Sequence, residues 1–325
     1  MSINWSKIYT EFFNRYAGIS QGMSTNKNLS GKTIVVTGST SGIGLATTVQ
    51  LAKLGAFIIG IGRSALRCQQ AEETVRKACK NADITYMLSD LSSLEQVREL
   101  AAGIREKVKD RGNGALDVLI NTAGTFSSWY TGTVDGFELQ FAVNHLAPFL
   151  LTNELMPLLK KAPAGRVIMV SSGSHYRTSI NWKDIMLRKH YNCLMAYKQS
   201  KLANVLFATE LNRRLGFEGR VRAFAVDPGL VNTDIGIKRS SGIAKWVWKL
   251  RSRSGVDPSV PASSITYMTS EPSIQHSAYV YWKDCKPMKP SSYSERKDAA
   301  ERLWEISERM CGIKSSEYCI GLQKI

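Results

Sequence analysis

Short apolar runs alternate with longer amphipathic stretches from residue 32 onward, and this alternation constrains the fold more than any other feature. The runs are strand-sized and rich in β-branched residues, and the stretches between them are long enough for crossover helices. Such strands lie parallel in a sheet that helices cover on both faces. The predicted strands are residues 33–37, 57–61, 84–88, 118–120, 167–170 and 221–226.

Length and composition are those of an ordinary globular protein. The 325 residues, 43% of them hydrophobic, can bury a core without metal ions or disulfides. The six cysteines form no CxxC pair, which favours free thiols in a reducing compartment and predicts no metal site. No apolar run approaches the roughly 20 residues that span a bilayer. We therefore expect one intracellular domain with appended elements.

The net charge is +16, from 43 basic and 27 acidic residues. This charge attracts nucleic acid, anionic membranes and phosphorylated cofactors without choosing among them. Since no nucleic-acid-binding motif accompanies it, we expect no specific nucleic acid partner.

A glycine cluster directly follows the first predicted strand. Glycines at a strand-to-helix turn let a pyrophosphate approach backbone N–H groups at a helix N-terminus, where the partial positive charge favours an anion. Apolar residues at helical spacing come next, so the cluster has the setting that dinucleotide binding requires, although an ordinary turn is the alternative. The candidate cofactor-binding residues of the cluster are Gly38, Ser39, Thr40, Ser41, Gly42, Ile43 and Gly44.

An arginine stands where enzymes that use NAD usually carry an acid. The second strand ends in Gly62-Arg63-Ser64, with Arg67 one helical turn later. A guanidinium can pair with a 2′-phosphate through two parallel hydrogen bonds. Arg63 therefore predicts NADP(H) rather than NAD(H), and a solvated arginine at a helix start is the alternative.

Tyr197 and Lys201 lie four residues apart in a predicted helix over residues 196–215, so they share one face. A nearby ammonium stabilises a phenolate, which makes Tyr197 a candidate proton donor and acceptor. Ser172 and Asn121 each follow a predicted strand and should reach the same sheet edge. There the Ser172 hydroxyl can bind a substrate oxygen while a hydride passes to or from a nicotinamide.

Together these motifs resemble the short-chain dehydrogenase/reductase family over roughly residues 30–312. The resemblance implies an α/β fold: a single Rossmann-type, doubly wound parallel sheet with helices on both faces and a helical substrate lid. It implies a catalytic set of Asn144, Ser172, Tyr197 and Lys201. It also implies further cofactor contacts at Asp90, Leu91, Asn121, Ala123, Gly124, Tyr197, Lys201, Pro228, Gly229, Val231 and Thr233.

Within that family the chain is similar to the retinol dehydrogenase-like branch, including members that act on polyprenol-type lipids. The segments that carry this similarity are residues 143–146, 149–152, 200–207 and 284–287. The branch implies a lipophilic alcohol, aldehyde or ketone of retinoid, isoprenoid or steroid-like type as substrate. The chain departs from the usual pattern at Thr122 and at Ala147-Pro148, where proline lacks the N–H that would bond the Asn144 carbonyl.

Two amphipathic segments suggest contact with a membrane surface. Residues 1–19 place aromatic and aliphatic side chains on one helical face, and residues 238–253 combine six cations with an apolar face. A peripheral site on the endoplasmic reticulum or mitochondrion would follow, whereas helices packed on their own domain would leave the protein cytoplasmic. The first segment also resembles a mitochondrial transit peptide.

We divide the chain into an N-terminal extension at residues 1–30, a dehydrogenase domain at residues 31–312 and a C-terminal tail at residues 313–325. The lid insertion spans about residues 232–256 of the domain. Two functional alternatives stay open, a catalytically silent cofactor-binding scaffold and a basic nucleic-acid-binding protein, and so does homodimerisation. No histidine receives a catalytic role, and His175 is a candidate pocket-lining residue.

Overall fold

The computed structural model describes residues 28–109, 111, 114–216, 219–231 and 256–313. It contains one sheet with strands β1 (Thr33–Thr37), β2 (Phe57–Gly62), β3 (Ile84–Leu88), β4 (Val118–Asn121), β5 (Gly165–Val170), β6 (Val221–Asp227), β7 (Tyr281–Lys283) and β8 (Lys286–Pro287). The strand order is β3-β2-β1-β4-β5-β6-β7-β8, and the first seven strands are parallel while β8 pairs antiparallel to β7. The order reverses direction between β1 and β4, where α/β sheets bind ligands.

Helices cover both faces of the sheet. They are α1 (Gly42–Lys53), α2 (Ala65–Ala78), α3 (Leu94–Lys109), α4 (Ala147–Leu159), α5 (Cys193–Leu215), α6 (Ser259–Ser270) and α7 (Lys297–Met310). Alternate side chains of one strand enter separate cores, since Ile34 packs with α1, α2 and α6 whereas Val35 packs with α3, α4, α5 and α7. The predicted α/β class with a doubly wound parallel sheet is confirmed.

The strand predictions agree with the structure to within two residues at every end. β7 and β8 were not predicted, because two or three residues are too few to show periodicity. The pattern of residues 294–310 predicts a serine-capped amphipathic helix, but the observed helix α7 begins at Lys297 rather than at Ser294. Ser294 lies in a 3₁₀ turn, where its hydroxyl donates a hydrogen bond to the Ser291 carbonyl (2.7 Å) and caps no helix.

A π-helical turn over Ala142–Leu146 precedes α4. In this turn the N–H of Ala147 donates to the carbonyl of Ala142, five residues earlier. Pro148 follows directly. Because proline has no N–H, it cannot donate the α-helical hydrogen bond to the Asn144 carbonyl. Such turns often mark functional sites, and Asn144 lies at the centre of this one.

Most of the N-terminal extension, the lid and the C-terminal tail lie outside the described residues, as does Thr233. The two ends of the lid insertion are joined, since Val231 and Val256 form an isolated parallel bridge. In the described part of the chain no helix is long and apolar enough to cross a membrane, and no group of three His, Cys, Asp or Glu residues could hold a metal ion. Its five cysteines are free thiols.

Candidate active site

The glycine loop after β1 is packed too tightly to hold side chains. Gly38 has φ of +66°, and a Cβ atom there would lie 2.7 Å from Cα of Ala123. At Gly44 a Cβ atom would meet the carbonyl oxygen of Gly38 and lie 2.8 Å from Oγ1 of Thr122. The turns that follow β1 and β4 are therefore pressed together, and only glycine fits at these two positions.

Helix α1 begins at the end of this loop with its N-terminus open. Its N-cap Ser41 is exposed and makes no side-chain cap hydrogen bond to a described residue, and the first turn holds no acid. Thr40, Gly42 and Ile43 beside it are partly exposed. Free N–H groups and the helix dipole therefore present partial positive charge to this edge of the sheet.

Ser39 is fully buried and ties the loop to β2. Its N–H and its hydroxyl both donate to the Ile61 carbonyl, at 3.2 and 3.3 Å. The hydroxyl of Tyr86 on β3 donates to the Ser39 carbonyl at 3.1 Å. The Ser39 side chain thus holds the loop in place rather than facing the cleft.

The residues predicted to contact the adenosine end stand after β2 and β3. Arg63 is exposed and makes no hydrogen bond or ion pair to another described residue. Asp90 is partly buried and accepts a hydrogen bond from the Ser92 N–H at 2.9 Å, while its own N–H donates to Gln96. Leu91 is partly buried and packs against the core. Arg63 therefore has an exposed and unengaged guanidinium directly after β2.

The turn after β4 is fixed to the end of β1. The hydroxyl of Thr122 donates to the Thr37 carbonyl, and the N–H of Ala123 donates to Oγ1 of Thr37 (3.2 Å). Asn121 is 2% exposed and donates to the Met169 sulfur, while its Oδ1 has no partner among the described residues. Gly124 completes the turn and is partly exposed.

Asn144 is buried and uses its amide to hold neighbouring segments together. Its Oδ1 accepts from the N–H of Thr125 at 2.7 Å, and its Nδ2 donates to the Thr125 carbonyl at 3.1 Å and to Oγ of Ser200 at 3.0 Å. Thr125 continues the turn after β4, and Ser200 lies on α5. The π-helical turn thus joins the cofactor side to the helix that carries Tyr197.

Two serines follow β5 and point in different directions. Ser171 is 1% exposed, and its hydroxyl donates to the Lys201 carbonyl at 2.8 Å. Ser172 is only partly buried, and its Oγ accepts from the N–H of Ser174 at 3.1 Å. The Ser172 oxygen is therefore held at the sheet edge, and its own hydrogen stays available to a ligand.

Tyr197 and Lys201 lie on the same face of α5, as their spacing predicted. The amine of Lys201 lies 5.7 Å from the centroid of the Tyr197 ring and donates to the Val170 carbonyl at 3.0 Å. Burial lowers the pKa of Lys201 to about 8, so the amine is still mostly protonated at neutral pH. Tyr197 is partly exposed, and its ring packs edge-on against Phe126 with centroids 5.9 Å apart.

The Pro228-Gly229 turn follows β6, and sequence reasoning missed the acid that holds it. Asp227 is 7% exposed, and its Oδ1 accepts from the N–H of Gly229 at 2.9 Å. Gly229 has φ of +70° with open space where a side chain would begin. Val231, two residues on, is partly buried. No local sequence pattern identifies Asp227, because its role depends on the contact of its carboxylate with the Gly229 N–H in the folded turn.

His175 is fully buried, so it stands behind Ser172 instead of lining a pocket. Its Nε2 accepts from the N–H of Ser291 at 3.1 Å, which requires the hydrogen on Nδ1, and Nδ1 lies 2.8 Å from the Ser172 carbonyl. Burial lowers the pKa of His175, so the ring is neutral. His175 thus fastens the Ser172 turn to the segment after β8.

A second hydrogen-bond network, which the sequence did not reveal, forms a polar wall between the residues after β4 and the segment that leads into α5. The hydroxyl of Tyr191 donates to the Ser127 carbonyl at 2.9 Å and accepts from Nε2 of Gln140 at 2.7 Å. The Glu138 carboxylate lies 3.2 Å from the same hydroxyl and caps the backbone of residues 140 and 141. Burial raises the pKa of Glu138. Exposed Trp129, Tyr130, Leu194 and Met195 belong to the segments that this network joins.

The arrangement suits proton transfer next to a bound dinucleotide. The glycine loop forms a cradle that any Cβ atom would fill, so its backbone can lie against a pyrophosphate. At the end of β5 the Lys201 amine donates to the Val170 carbonyl, two residues before Ser172, and it lies 5.7 Å from the centroid of the Tyr197 ring. The residues present therefore fit a nicotinamide dinucleotide, which the glycine loop would hold at its pyrophosphate.

Residues 32–244 match the sequence profile of the short chain dehydrogenase family. Among known proteins, retinol dehydrogenase 12 of Mus musculus is 36% identical over 290 residues, which is 89% of each chain. Retinol dehydrogenase 14 of Homo sapiens is 35% identical over 305 residues, or 87% of each chain.

Solved structures show the same fold. A crystal structure of a protein from Mycobacterium Paratuberculosis has a TM-score of 0.68 and 31% identity, covering 88% of this chain and 95% of that one. A metagenomic short-chain oxidoreductase in complex with NADP has a TM-score of 0.55 and 24% identity, covering 80% and 99%. The chain therefore belongs to the short-chain dehydrogenase/reductase family, an oxidoreductase family that binds a nicotinamide cofactor, and it is retinol dehydrogenase-like.

Proposed function

We propose that this chain is an NADP(H)-dependent oxidoreductase that interconverts a lipophilic alcohol and its aldehyde or ketone, of retinoid, isoprenoid or steroid-like type. The observation that carries the proposal is that Lys201 lies 5.7 Å from the Tyr197 ring and donates to the Val170 carbonyl of β5, two residues before Ser172. The retinol dehydrogenases among its relatives support the substrate class.

In this mechanism each side chain has a separate task. The Ser172 hydroxyl donates a hydrogen bond to the substrate oxygen. The Tyr197 hydroxyl gives that oxygen a proton during carbonyl reduction and takes the proton back during alcohol oxidation. The Lys201 ammonium stabilises the Tyr197 phenolate, because an adjacent positive charge favours the ionised phenol. The bound nicotinamide supplies hydride transfer to or from the substrate carbon.

Replacement of Tyr197 tests this mechanism. In Tyr197→Phe we expect kcat to fall about 1,000-fold, which is within the range for loss of a general acid. The dissociation constant of NADPH, measured by fluorescence titration, should stay within about threefold because the cradle is intact. Tyr279→Phe removes an exposed phenol outside the site and serves as the control.

The same variant separates an enzyme from a catalytically silent scaffold. A scaffold would bind NADPH equally well before and after the substitution and show no turnover in either form. Turnover that persists undiminished in Tyr197→Phe would contradict the assigned proton donor.

The preference for NADP(H) rests on Arg63. Its guanidinium is exposed and unengaged at the end of β2, where an acid would otherwise bind the ribose hydroxyls. Arg63→Glu should lower the ratio of kcat/KM for NADPH to that for NADH about 100-fold, because attraction of a 2′-phosphate becomes repulsion. Lys53→Glu makes the same charge change at the far end of α1 and should leave the ratio unchanged. An unchanged ratio in Arg63→Glu would end the assignment.

The substrate class is tested by a panel of carbonyl compounds. NADPH consumption with retinal, farnesal, polyprenals and steroid ketones should exceed that with small aromatic aldehydes, because Leu194 and Met195, shortly before Tyr197 on α5, have exposed apolar side chains. A preference for small polar carbonyls would contradict the lipophilic assignment and leave the reaction type standing.

Peripheral membrane binding is a further part of the proposal. It is supported by the cations and apolar residues at 238–253, outside the described residues, and by the exposed aromatic side chains of Trp129 and Tyr130. Intact protein should co-sediment with anionic vesicles several-fold more than a Trp246→Ser, Lys249→Glu double variant. Equal binding by the two proteins would remove this part.

A further inference from the structure

The carbonyl of Val170 accepts hydrogen bonds from two side chains of α5. Nζ of Lys201 donates to it at 3.0 Å and Nδ2 of Asn204 at 3.3 Å. Lys201 is 3% exposed and Asn204 is 2% exposed, so both donors are shielded from water. The position of the Asn204 amide therefore affects how this carbonyl oxygen is shared with the Lys201 amine.

The other end of the Asn204 amide faces His145 of the π-helical turn. Burial lowers the pKa of His145 to about 3, and an interaction with the Asn204 side chain opposes that shift. Oδ1 of Asn204 and Nδ1 of His145 are both buried, and neither has a hydrogen bond of normal geometry to any described residue. Two unsatisfied buried atoms that face each other are costly unless one of them donates to the other.

Only one tautomer of the neutral His145 ring satisfies both atoms. With the hydrogen on Nδ1, His145 donates to Oδ1 of Asn204, and Nε2 is left to accept from the Ser307 hydroxyl, which lies 2.8 Å away. With the hydrogen on Nε2, two acceptors would face each other in the core. The Leu303 carbonyl, 2.8 Å from the Ser307 hydroxyl, still receives its helical N–H bond in α7.

With this tautomer a continuous series of polar contacts connects the C-terminal helix to the active site. The order is Ser307 on α7, His145 in the π-helical turn, Asn204 on α5, the Val170 carbonyl and finally Nζ of Lys201. The ring of His145 is held among Phe141, Phe149 and Phe207, at centroid distances of 5.0, 6.1 and 6.5 Å. Close packing on these sides limits rotation of the ring.

We propose that Asn204 and His145 are positioning residues for Lys201, and that the His145 tautomer with its hydrogen on Nδ1 links the two side chains. The inference deepens the proposed function and rests on it, since placement of the Lys201 amine matters only if Tyr197 transfers the proton. Tyr197 is the titratable group beside that amine. Among the described residues, burial is what lowers the pKa of Lys201, and no charged neighbour contributes to the shift.

The first test needs no variant and no substrate. Nitrogen-15 spectra of the histidines in the cofactor-free full chain report which ring nitrogen carries the hydrogen. The rings of His145 and His175 are buried, which lowers the pKa of both and keeps them neutral at pH 7, and their burial distinguishes them from the exposed His190 and His276. Both buried rings should carry the hydrogen on Nδ1, so no assignment between them is needed. A buried ring with its hydrogen on Nε2 would overturn the proposal.

The second test measures the Lys201 amine directly by carbon-13 NMR of the lysine side chains, with the Lys201 signal identified by its loss in Lys201→Met. The wild-type midpoint should lie near pH 8. Asn204→Asp puts a carboxylate against the same carbonyl as the ammonium, so the midpoint should rise by about one pH unit or more. His145→Phe keeps the aromatic packing but frees the Asn204 amide, and a smaller shift of about half a unit is expected.

A matched control is available on the same helix. Asn212 is also buried, and its amide donates to the Ala223 carbonyl and accepts from the Ala223 N–H, both at 2.8 Å. Asn212→Asp introduces the same repulsion between carboxylate and carbonyl two turns away and should leave the Lys201 midpoint unchanged. A midpoint in Asn204→Asp within about 0.3 unit of wild type would overturn the proposal, whatever the activity of the variant.

Kinetics then separate this inference from the proposed function. The pH profile of kcat for alcohol oxidation in Asn204→Asp should move upward in parallel with the Lys201 midpoint, with KM for the cofactor unchanged. If Lys201 titrates as expected but no substrate turns over, the positioning chain stands and the proposed function fails. If turnover is normal and the midpoint does not move, the positioning role fails alone.

Discussion

The site has a cofactor half, which consists of the turns after β1 and β4, and a substrate half, which consists of the segments around Asn144, Tyr191 and Tyr197. Different kinds of contact hold the two halves. In the cofactor half, backbone presses on backbone, so that Gly38 would place a Cβ atom 2.7 Å from Cα of Ala123. In the substrate half, buried polar side chains join segments far apart in sequence, such as Gln140 to Tyr191 and Asn144 to Ser200. The first half therefore depends on the absence of side chains, and the second depends on particular functional groups.

The largest effect that tests this contrast is expected at Gly38. In Gly38→Ala the new methyl group meets the Ala123 backbone, so the cradle must open, and we expect the dissociation constant of NADPH to rise about 100-fold. Gly31→Ala is the control, because Gly31 has φ of +77° but nothing within 4 Å of its Cβ position. Both variants share a backbone strain of about 1 kcal/mol, so only the clash distinguishes them. If the two variants bound NADPH equally well, the clash with Ala123 would not be what limits NADPH binding.

Lys201 provides the next largest effect, because a buried charge in the substrate half opposes folding. Its pKa falls from 10.5 to about 8 in the folded protein. That difference corresponds to a destabilisation of about 3 kcal/mol, fully present below pH 8 and lost as pH rises towards 10.5. Lys201→Met also loses the bond to Val170, worth about 1 kcal/mol. It should therefore be about 2 kcal/mol more stable than wild type at pH 7 by urea denaturation, although inactive.

The stability gained in Lys201→Met depends on pH, because it comes from removing a buried charge. The stability difference between Lys201→Met and wild type should shrink between pH 8 and pH 10, since wild type gains stability as its amine deprotonates. Lys198→Met, at a partly exposed neighbour on α5, should differ from wild type by less than about 0.5 kcal/mol at both pH values. A Lys201→Met protein that is less stable than wild type at pH 7 would show that the hydrogen bond outweighs the buried charge.

The same contrast explains what the sequence could predict. Strand ends, the glycine loop and the shared face of Tyr197 and Lys201 depend on contacts within about 20 residues, and periodicity reveals them. The fold class and family followed from these features. The choice of Ser172 over Ser171 came from the family resemblance and stays a prediction; in the structure the Ser171 hydroxyl donates to the Lys201 carbonyl, whereas Ser172 accepts from the Ser174 N–H.

The missed residues act through contacts that no local pattern encodes. Asp227 is recognised only once its carboxylate is seen on the Gly229 N–H, and His175 only once Ser291 is brought to it from 116 positions away. Neither has a spacing that separates it from an ordinary buried residue. Polar side chains that join distant segments therefore have to be read from the folded structure, and they are concentrated in the substrate half.

The smallest effect is expected at Tyr191, which tests whether that substrate-half wall matters for binding. Tyr191→Phe removes a hydroxyl that bonds Ser127 and Gln140, so stability should fall by about 1–2 kcal/mol. The loosened wall should raise KM for a lipophilic substrate about fivefold, while NADPH affinity is unchanged because the cradle is remote. The ring of Tyr130 packs edge-on against that of Tyr191, with centroids 5.7 Å apart. Tyr130→Phe keeps this packing and should leave KM unaltered. If Tyr191→Phe instead weakened NADPH binding and spared substrate KM, the two halves would be coupled more tightly than their separate contacts indicate.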